Sequence, residues 1–476
     1  MNVLLISTYE LGHQPFGLAS PAAWLERAGM TVTCMDLSRE PLREGAVAQA
    51  DFIAFYLPMH TATRLAIKAL PSVRRLNPSA HLCFYGLYAP LNASYLRKLG
   101  AGTILGGEFE EELAQAAVRV RGLSSRGGPT QEAQQGPVIA LTRLNFLTPR
   151  RQGLPGLNRY ARLELPEGGS RVVGYTEASR GCKHLCRHCP VVPVYNGRFR
   201  IVQQDVVLED VRRQVEAGAQ HITFGDPDFF NGIRHAISLV TEFHRCFPAL
   251  TYDATIKVEH LLQHAERLKT LRETGCLFVT TAVESVDGSI LARLEKGHTA
   301  ADFCRVAGLC RAAGLALSPT FVAFTPWTTA EGYAALLDTI AGLDLVHHVA
   351  SVQLGIRLLI PAGSRLLELD EVKNLVEPFD EANLIYPWRH TDPRVENLYR
   401  SVQDAIREGI KKGESRQTIF DRLLAVAAKA SGAAIAAPAL APSLRPAIPY
   451  LTEPWYCCAE PTSDELAAVS ATEPQI

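Results

Sequence analysis

The sequence lacks an excess of charge of either sign, a long apolar run and a basic leader segment. Its 476 residues contain 48 Lys and Arg against 49 Asp and Glu, so its composition gives no reason to expect a nucleic acid or an acidic membrane as a partner. No stretch approaches the roughly 18 uninterrupted apolar residues of a membrane-spanning helix. The opening segment MNVLLIST shows no signal-peptide pattern. These absences predict a soluble cytoplasmic protein that acts on a small molecule or a peptide.

The sequence also gives no sign of a disulfide framework. It has eleven cysteines, and a cytosolic chain keeps its thiols reduced. Six of the cysteines stand singly in apolar or amphipathic segments, where ordinary packing explains them. The other five form two groups, Cys182 with Cys186 and Cys189, and the pair Cys457 and Cys458. We expect chemistry at these two groups.

Short apolar runs alternate with helical patterns over residues 1–120. This alternation is typical of βα units wound into a parallel sheet, so we predict a doubly wound α/β domain. Loops rich in Gly, His and Pro follow four of the runs, and such loops line the ligand crevice of an open parallel sheet. Residues 121–170 are predicted to be a linker, because their first part is rich in Gly, Ser and Gln.

A second βα series covers residues 171–365 and contains six predicted strands, the last at 351–354. Six repeats predict a partial (β/α)6 barrel. Residues 366–432 are predicted to form a helical C-terminal region. Residues 433–476 combine an Ala- and Pro-rich spacer with an extended tail that carries the Cys-Cys pair, a composition typical of a tethered arm.

The cysteine triad directly follows the first strand of the second series, in EASRGCKHLCRHCP. Thiolates are soft ligands suited to an iron–sulfur cluster, and the C-x3-C-x2-C spacing lets one loop hold three corners of a cubane while one iron has no protein thiolate. The alternative is a structural zinc site completed by His184 or His188. The position of the triad at a strand end, where barrels of this kind place their active sites, favours the cluster.

On this motif the sequence resembles the radical S-adenosylmethionine (SAM) superfamily, whose signature has the spacing of Cys182, Cys186 and Cys189. The resemblance implies a [4Fe-4S] cluster whose open iron binds SAM, and a 5′-deoxyadenosyl radical formed with an electron from a flavodoxin- or ferredoxin-type donor. It also places His188 against the adenine. The further SAM contacts that it implies are Gly225, Asp226, Glu284, Ser285, Ser318, Thr320, Gln353 and Arg357. For each of these, an ordinary cap or turn role is the alternative.

A doubly wound domain placed before such a barrel resembles the cobalamin-binding type of radical SAM enzyme. The resemblance implies that loops of residues 1–120 hold the corrinoid, and the residues expected there are Ser7, Leu57, His60, Gly86, Gly106, Gly107 and Glu108. The segment GHQPFG around His13 lacks the Asp of the Asp-x-His-x-x-Gly motif whose His ligates cobalt. We therefore expect cobalamin without a lower-face His ligand. A domain with another ligand or with none is the alternative.

The ending TEPWYCCAEP resembles a subset of radical SAM proteins with a terminal Cys-Cys-Ala-Glu-Pro, in some of which selenocysteine replaces the second Cys. Adjacent cysteines bond to each other only with strain, yet both sulfurs can reach a soft metal, a metalloid or a redox partner. We therefore predict that Cys457 and Cys458 are catalytic or bind substrate. Two incidental thiols are the alternative.

Together these features predict an enzyme that uses a [4Fe-4S] cluster, SAM and cobalamin to modify an unactivated carbon, or a soft heteroatom delivered by the tail. A protein of another class, an iron–sulfur and corrinoid-binding redox sensor or carrier without turnover, is the alternative. The polar residues at the strand ends favour the enzyme, because a metal clip alone needs no barrel.

Overall fold

The structure is a computed structural model and describes residues 1–124, 138–432 and 448–453. Its strands are β1 (Asn2–Ser7), β2 (Thr31–Asp36), β3 (Phe52–Tyr56), β4 (His81–Tyr85), β5 (Thr103–Gly107), β6 (Ile139–Ala140), β7 (Arg162–Glu164), β8 (Ser170–Thr176), β9 (Ser179–Gly181), β10 (Phe199–Ile201), β11 (His221–Phe224), β12 (Thr251–Thr255), β13 (Cys276–Glu284), β14 (Ala316–Phe321) and β15 (Tyr450–Leu451). Its α-helices are α1 (Phe16–Arg27), α2 (Glu44–Ala48), α3 (His60–Leu76), α4 (Tyr88–Leu91), α5 (Ala93–Lys98), α6 (Phe109–Ser124), α7 (Val192–Tyr195), α8 (Gln204–Glu216), α9 (Ile233–Cys246), α10 (Val258–Gln263), α11 (Leu268–Glu273), α12 (Gly288–Arg293), α13 (Ala300–Ala312), α14 (Ala330–Gly342), α15 (Asp370–Lys373), α16 (Pro393–Lys411) and α17 (Arg416–Ser431).

The N-terminal sheet has the strand order β2-β1-β3-β4-β5-β6, and every neighbouring pair is parallel. Strands β3, β4 and β5 are buried at every position, which explains why they appear in the sequence as continuous apolar runs. The strand order reverses between β1 and β3, so the loops after these two strands diverge and open a crevice. The predicted doubly wound fold is confirmed.

The second sheet has the order β14-β13-β12-β11-β8-β7-β15. Its strands from β14 to β8 are parallel, whereas β7 and β15 continue it in antiparallel fashion. These five parallel strands form the predicted partial barrel. The helical C-terminal region follows, with α16 and α17 packed against each other and against α14.

The prediction of a sixth barrel strand at 351–354 is wrong. Residues Ser351–Gly355 form a 3-10 helix, and only a parallel bridge between Phe324 and Arg357 extends the sheet beyond β14. The amide side chain of Gln353 accepts a hydrogen bond from the backbone N–H of Phe321 at 3.4 Å, where a sixth strand would supply a carbonyl. A four-residue apolar run does not distinguish a strand from a buried helical turn by its periodicity.

Both sheets contribute to one apolar core. The cluster includes Leu18 and Phe109 from the N-terminal part together with Phe146, Ala178 and Phe224 from the barrel side. This shared core brings the carboxyl ends of the strands of the two sheets together. Across residues 1–124, 138–432 and 448–453, no helix combines the length and the apolar character needed to cross a bilayer.

Candidate functional site

Two adjoining cavities lie where the carboxyl ends of the two sheets meet. The larger cavity has a volume of about 300 Å³ and the smaller cavity one of about 190 Å³. Loops after β1, β3 and β4 line the larger cavity on one side, and loops after β8, β11, β12 and β13 line it on the other. The two cavities share part of their wall, including His13, Tyr175 and Gly225.

The cysteine loop, residues 182–189, contributes all three predicted cluster ligands, Cys182, Cys186 and Cys189, to the wall of the larger cavity. The loop leaves β9 at Gly181, where the backbone has a φ of +73° and an added Cβ would lie 2.4 Å from the Tyr195 ring. Only glycine meets both conditions. The antiparallel pairing of β9 with β10 then fastens the chain on both sides of the loop.

The spacing of the cysteines disfavours the zinc alternative. A metal ion needs several His, Cys, Asp or Glu ligand atoms close together. Within the described residues, one group of at least three such atoms has all of its members within 4.8 Å of one another, and it consists of His184, Asp228 and His260. The three cysteine sulfurs therefore do not meet this limit. In a tetrahedral zinc site, Zn–S bonds of about 2.3 Å hold the sulfurs only about 3.8 Å apart. A wider loop suits a larger cluster.

His188 and Glu284, both predicted to contact SAM, meet at the wall of the larger cavity. His188 Nε2 lies 3.0 Å from Glu284 Oε1, and Lys296 Nζ donates to the same oxygen at 3.2 Å. Burial acts to raise the pKa of Glu284, but the charge of Lys296 and the hydrogen bond from His188 outweigh it and lower the pKa to about 2. The carboxylate is thus ionised and fixed.

Glu284 also departs from regular strand geometry. Its φ is +69°, a value that residues other than glycine rarely adopt. The register of β13 with β14 shifts between Ala282 and Glu284. Bulges of this kind re-aim side chains beside active sites, and this one accompanies the turn of the Glu284 carboxylate towards His188.

Gly225 and Asp226 follow β11 and line the larger cavity. Asp226 accepts hydrogen bonds from the Ser179 hydroxyl at 2.5 Å and from the Ala178 backbone N–H at 2.9 Å. Burial raises the pKa of Asp226 to about 7, although these hydrogen bonds oppose the shift. Asp226 thus ties the chain just before the cysteine loop to the end of β11. An added Cβ at Gly225 would lie 1.8 Å from the Tyr175 hydroxyl.

Three other predicted SAM contacts lie outside the wall of the larger cavity, whereas Thr320 and Gln353 belong to it. Ser285 accepts a hydrogen bond from the Asp287 backbone and forms the turn before α12. Ser318 lies two residues further from the carboxyl end of β14 than Thr320.

Arg357, the last of the three, binds the C-terminal helical region. Its guanidinium donates to both oxygens of Glu396 and to the Trp388 carbonyl, and it lies 3.9 Å from the centre of the Trp388 ring. All of these partners follow the barrel in sequence. The charge of Arg357 thus attaches the helices to the barrel, and these contacts do not support the prediction that Arg357 binds SAM.

The smaller cavity is built around one buried cation among several carboxylates. Arg180 contacts Glu110 Oε1 and Glu177 Oε2 at 2.6 Å each, and Glu108 Oε2 at 3.6 Å. Burial raises the pKa of Glu108 to about 7 against the opposing charge of Arg180. Glu108 is held by the long Arg180 contact and by the Tyr195 hydroxyl, whereas one buried oxygen of Glu10 has no hydrogen-bond partner among the described residues. A buried carboxylate oxygen left in this state indicates an additional polar group.

The predicted corrinoid contacts are only partly assembled at these cavities. Of the seven residues, Gly107 lines the smaller cavity, and Glu108 is its buried neighbour. His60 instead contacts the Asn383 carbonyl through Nε2 at 2.7 Å. Ser7, Leu57, Gly86 and Gly106 are not part of either wall. The residues that sequence reasoning missed here are Tyr56 and Arg180.

The chain returns to the larger cavity near its end. Strand β15 pairs antiparallel with β7, and Leu451 and Glu453 line the cavity. The predicted catalytic residues Cys457 and Cys458 lie outside the described residues.

Sequence reasoning also missed Lys296, Asp228 and His260, and it considered His184 only as a ligand of the alternative zinc site. Asp228 stands in the same GDPDFF segment as Gly225 and Asp226, so its position after a strand was a usable signal. Lys296 has no comparable signal, because its partner Glu284 lies on the other side of α12.

Residues 176–331 match the family described as the Radical SAM superfamily. Among curated proteins, the hopanoid C-3 methylase of Methylococcus capsulatus (strain Bath) is 25% identical over 323 residues, which cover 64% of this chain and 61% of the methylase. The chain thus spans less than two thirds of that relative. The match at residues 176–331 includes the cysteine loop, β11 and β13.

Two solved structures share the fold over most of the chain. The cobalamin-dependent SAM radical enzyme OxsB, with aqua-cobalamin and SAM bound, has a TM-score of 0.67 at 14% identity and covers 86% of this chain and 67% of its own. The radical SAM methyltransferase TsrM from Kitasatospora setae, with tryptophan and a SAM analogue bound, has a TM-score of 0.57 at 18% identity and covers 72% and 71%. Residues 176–331 are thus similar to the Radical SAM superfamily, and the two solved structures share the fold of this chain.

Proposed function

We propose that this protein is a radical SAM enzyme. It uses cobalamin to transfer a methyl group, or otherwise modifies a carbon or a soft heteroatom, on a small molecule or a peptide held between the two sheets. The observation that carries the proposal is the shared wall of the two cavities, one lined by the cysteine loop and the other by the crevice of the doubly wound sheet. A substrate bound at this wall is within reach of both cofactor sites.

The larger cavity is proposed to hold the cluster and SAM. Cys182, Cys186 and Cys189 ligate the cluster. When bound, the cluster and SAM supply the reducing electron and the 5′-deoxyadenosyl radical, with a flavodoxin- or ferredoxin-type protein as electron donor. The ionised Glu284 fixes the His188 ring at the cavity wall for the adenine, and Gly225 leaves room beside the Tyr175 hydroxyl.

The charge of Lys296 has a second use at this site. Its ammonium group interacts with Cys186 and Cys189 as well as with Glu284. Thiolate ligands require positive charge nearby when they are taken out of water. Lys296 is 3% exposed, so its interaction with the two cysteines is little screened by solvent. We infer that Lys296 supplies positive charge beside the cysteine loop.

The smaller cavity is proposed to hold part of the corrinoid. Its lining residues follow β1, β3 and β5. A crevice is expected at this place, because the strand order of the sheet reverses there. Tyr56 and Phe109 offer apolar ring surface, while the Glu10 oxygen that has no partner among the described residues is an acceptor for an amide N–H donor. A corrin ring with amide side chains presents both kinds of surface. When bound, cobalamin would supply the methyl group for transfer.

The tail is proposed to deliver the thiols of Cys457 and Cys458 to substrate or to a soft element in the larger cavity. Cys457 is four residues after Glu453, whose side chain lines that cavity. Four residues of extended chain span at most about 14 Å. This short connection in sequence supports the proposal that the tail thiols act in the larger cavity.

The experiment that tests this proposal is anaerobic incubation of the reconstituted enzyme with SAM, reductant and hydroxocobalamin. A methyl-transferring enzyme produces S-adenosylhomocysteine in a cobalamin-dependent way, and a radical enzyme also produces 5′-deoxyadenosine. Cobalamin that co-elutes with the protein is expected to give a base-off spectrum without nitrogen coupling to Co(II), because we propose no lower-face His ligand. Failure to bind cobalamin would overturn the corrinoid part, and binding of all cofactors without either product would identify a sensor or carrier.

A further inference from the structure

We infer that His184, Asp228 and His260 form a mononuclear binding site for a divalent first-row metal ion beside the cysteine loop. The site does not depend on the proposed function. His184 Nε2, Asp228 Oδ2 and His260 Nδ1 all lie within 4.8 Å of one another. His184 belongs to the cysteine loop, Asp228 follows β11, and His260 lies on α10. Three separate parts of the barrel therefore converge on one point.

The same three atoms are buried and, among the described residues, have only one another as polar partners. The exposed fraction of Asp228 is 1% and that of His260 is 3%. The shortest contact is 2.6 Å between His260 Nδ1 and Asp228 Oδ2, and His184 Nε2 lies 3.5 Å from the same oxygen. Two imidazole nitrogens thus converge on one buried carboxylate oxygen. A bound cation would satisfy all three atoms at once.

The surroundings orient these side chains as metal ligands require. Asp228 Oδ1 accepts hydrogen bonds from the backbone N–H groups of Phe230 and Lys257, which leaves Oδ2 for the ion. On the far side of the His184 ring, Nδ1 lies 3.5 Å from Glu259 Oε2. Histidine ligands generally present their second ring nitrogen to a carboxylate in this way, and the arrangement fixes the ring.

The ligand set selects the kind of ion. Two imidazoles and one carboxylate suit Zn²⁺, Fe²⁺ and their first-row neighbours, whereas Ca²⁺ and Mg²⁺ prefer oxygen ligands throughout. Three protein ligands leave coordination positions open. His184 and Asp228 line the larger cavity, so the open positions face the space beside the cysteine loop. The ion would also tie that loop to the end of β11 and to α10.

The test uses the full-length enzyme with its [4Fe-4S] cluster reconstituted, in a Cys457→Ser/Cys458→Ser background that removes the tail thiols as competing ligands. Equilibrium dialysis against Zn²⁺ with a competing chelator, followed by elemental analysis, measures zinc beside the cluster iron. We expect one zinc per chain. His260→Ala and the isosteric Asp228→Asn should weaken its binding by more than about 100-fold, because the first removes a ligand and the second removes the negative charge of a ligand. His264→Ala is the matched control, since its ring lies 6.1 Å from that of His260 and is not part of the site.

A spectroscopic measurement keeps the inference testable if His260→Ala fails to fold. In a variant whose triad and tail cysteines are all serine, bound Co²⁺ is expected to show visible d–d bands without thiolate-to-cobalt charge transfer. Zinc bound with equal affinity by wild-type and Asp228→Asn enzyme, or no zinc beyond the cluster iron, would overturn the inference. Cobalt d–d bands that persist unchanged in Asp228→Asn would also overturn the inference.

Discussion

The hydroxyl of Tyr9 donates a hydrogen bond of 2.5 Å to Glu453 Oε1, joining two residues that are 444 positions apart. Tyr9 lies in the loop after β1, and Glu453 is the last described residue before the Cys-Cys tail. A second contact lies beside it, where an added Cβ at Gly12 would be only 2.7 Å from Glu453 Cβ. The N-terminal sheet thus holds the chain at the point from which the tail departs.

Removing this hydrogen bond should loosen the tail without disturbing the cluster. Tyr9→Phe is expected to lower the free energy of unfolding by about 1 kcal/mol, the usual net worth of one hydrogen bond, and to reduce product formation. Urea unfolding measures the free energy of unfolding, iron analysis shows whether the cluster is intact, and product formation is measured by turnover. Tyr95→Phe is the control, because Tyr95 lies on α5 and lines neither cavity. A Tyr9→Phe enzyme with full turnover would show that the tail needs no such support.

Gly225→Ala should damage the larger cavity directly. The new methyl group would lie 1.8 Å from the Tyr175 hydroxyl, so the Tyr175 ring must move, and overpacking of this kind costs about 1–3 kcal/mol. We expect a lower melting temperature and weaker SAM binding, measured by calorimetry. The control is Gly288→Ala, where nothing lies within 4 Å of the added carbon. Equal SAM affinity for the two variants would contradict the assignment of Gly225 to the SAM site.

Glu284→Gln should be strongly destabilising. It removes the carboxylate that pairs with Lys296, and both residues are buried. An unpaired buried charge costs about 3–5 kcal/mol. The double variant Glu284→Gln/Lys296→Met is expected to recover part of this loss, because it removes the uncompensated ammonium as well. Chemical denaturation of Glu284→Gln, Lys296→Met and the double variant measures the coupling, and a double variant less stable than Glu284→Gln alone would refute the pairing.

His13 predicts a pH dependence of stability. Burial lowers its pKa from the usual 6.5 to about 4, so the unfolded chain takes up this proton first as the pH falls. The stability contributed by the neutral ring is present above about pH 6.5 and is lost as the pH falls towards 4. From about pH 7 to about pH 5, the wild type should lose about 2 kcal/mol more than His13→Gln. Identical losses would show that His13 is protonated in the folded protein.

The fold and the cysteine loop could be predicted because the sequence patterns that indicate them are local. Buried parallel strands such as β3 and β4 appear as apolar runs, and the spacing of Cys182, Cys186 and Cys189 is read within eight residues. The segment at 351–354 could not be assigned, because a short buried run fits a 3-10 turn as well as a strand. The roles of Lys296 and His260 depend on contacts across the barrel, with Glu284 and Asp228. No local sequence pattern predicts such contacts.

Charged residues in similar sequence positions have different partners in the structure. Arg357 and Asp226 both follow predicted strands, yet Arg357 is paired with Glu396 on α16, while Asp226 holds the backbone before the cysteine loop. A charged residue near a strand end is bound by whichever partner the tertiary fold supplies. That partner was not visible in the sequence.

The most direct test of the account is reductive SAM cleavage by four single variants of the anaerobically reconstituted enzyme. Cys182→Ala, Cys186→Ala and Cys189→Ala should each lose the reducible [4Fe-4S] signal in electron paramagnetic resonance together with SAM cleavage. Cys246→Ala, which alters an exposed thiol on α9, should keep both. A wild-type protein that binds stoichiometric zinc and no iron, or a triad variant that still cleaves SAM at the wild-type rate, would contradict the assignment of the cluster to these three cysteines.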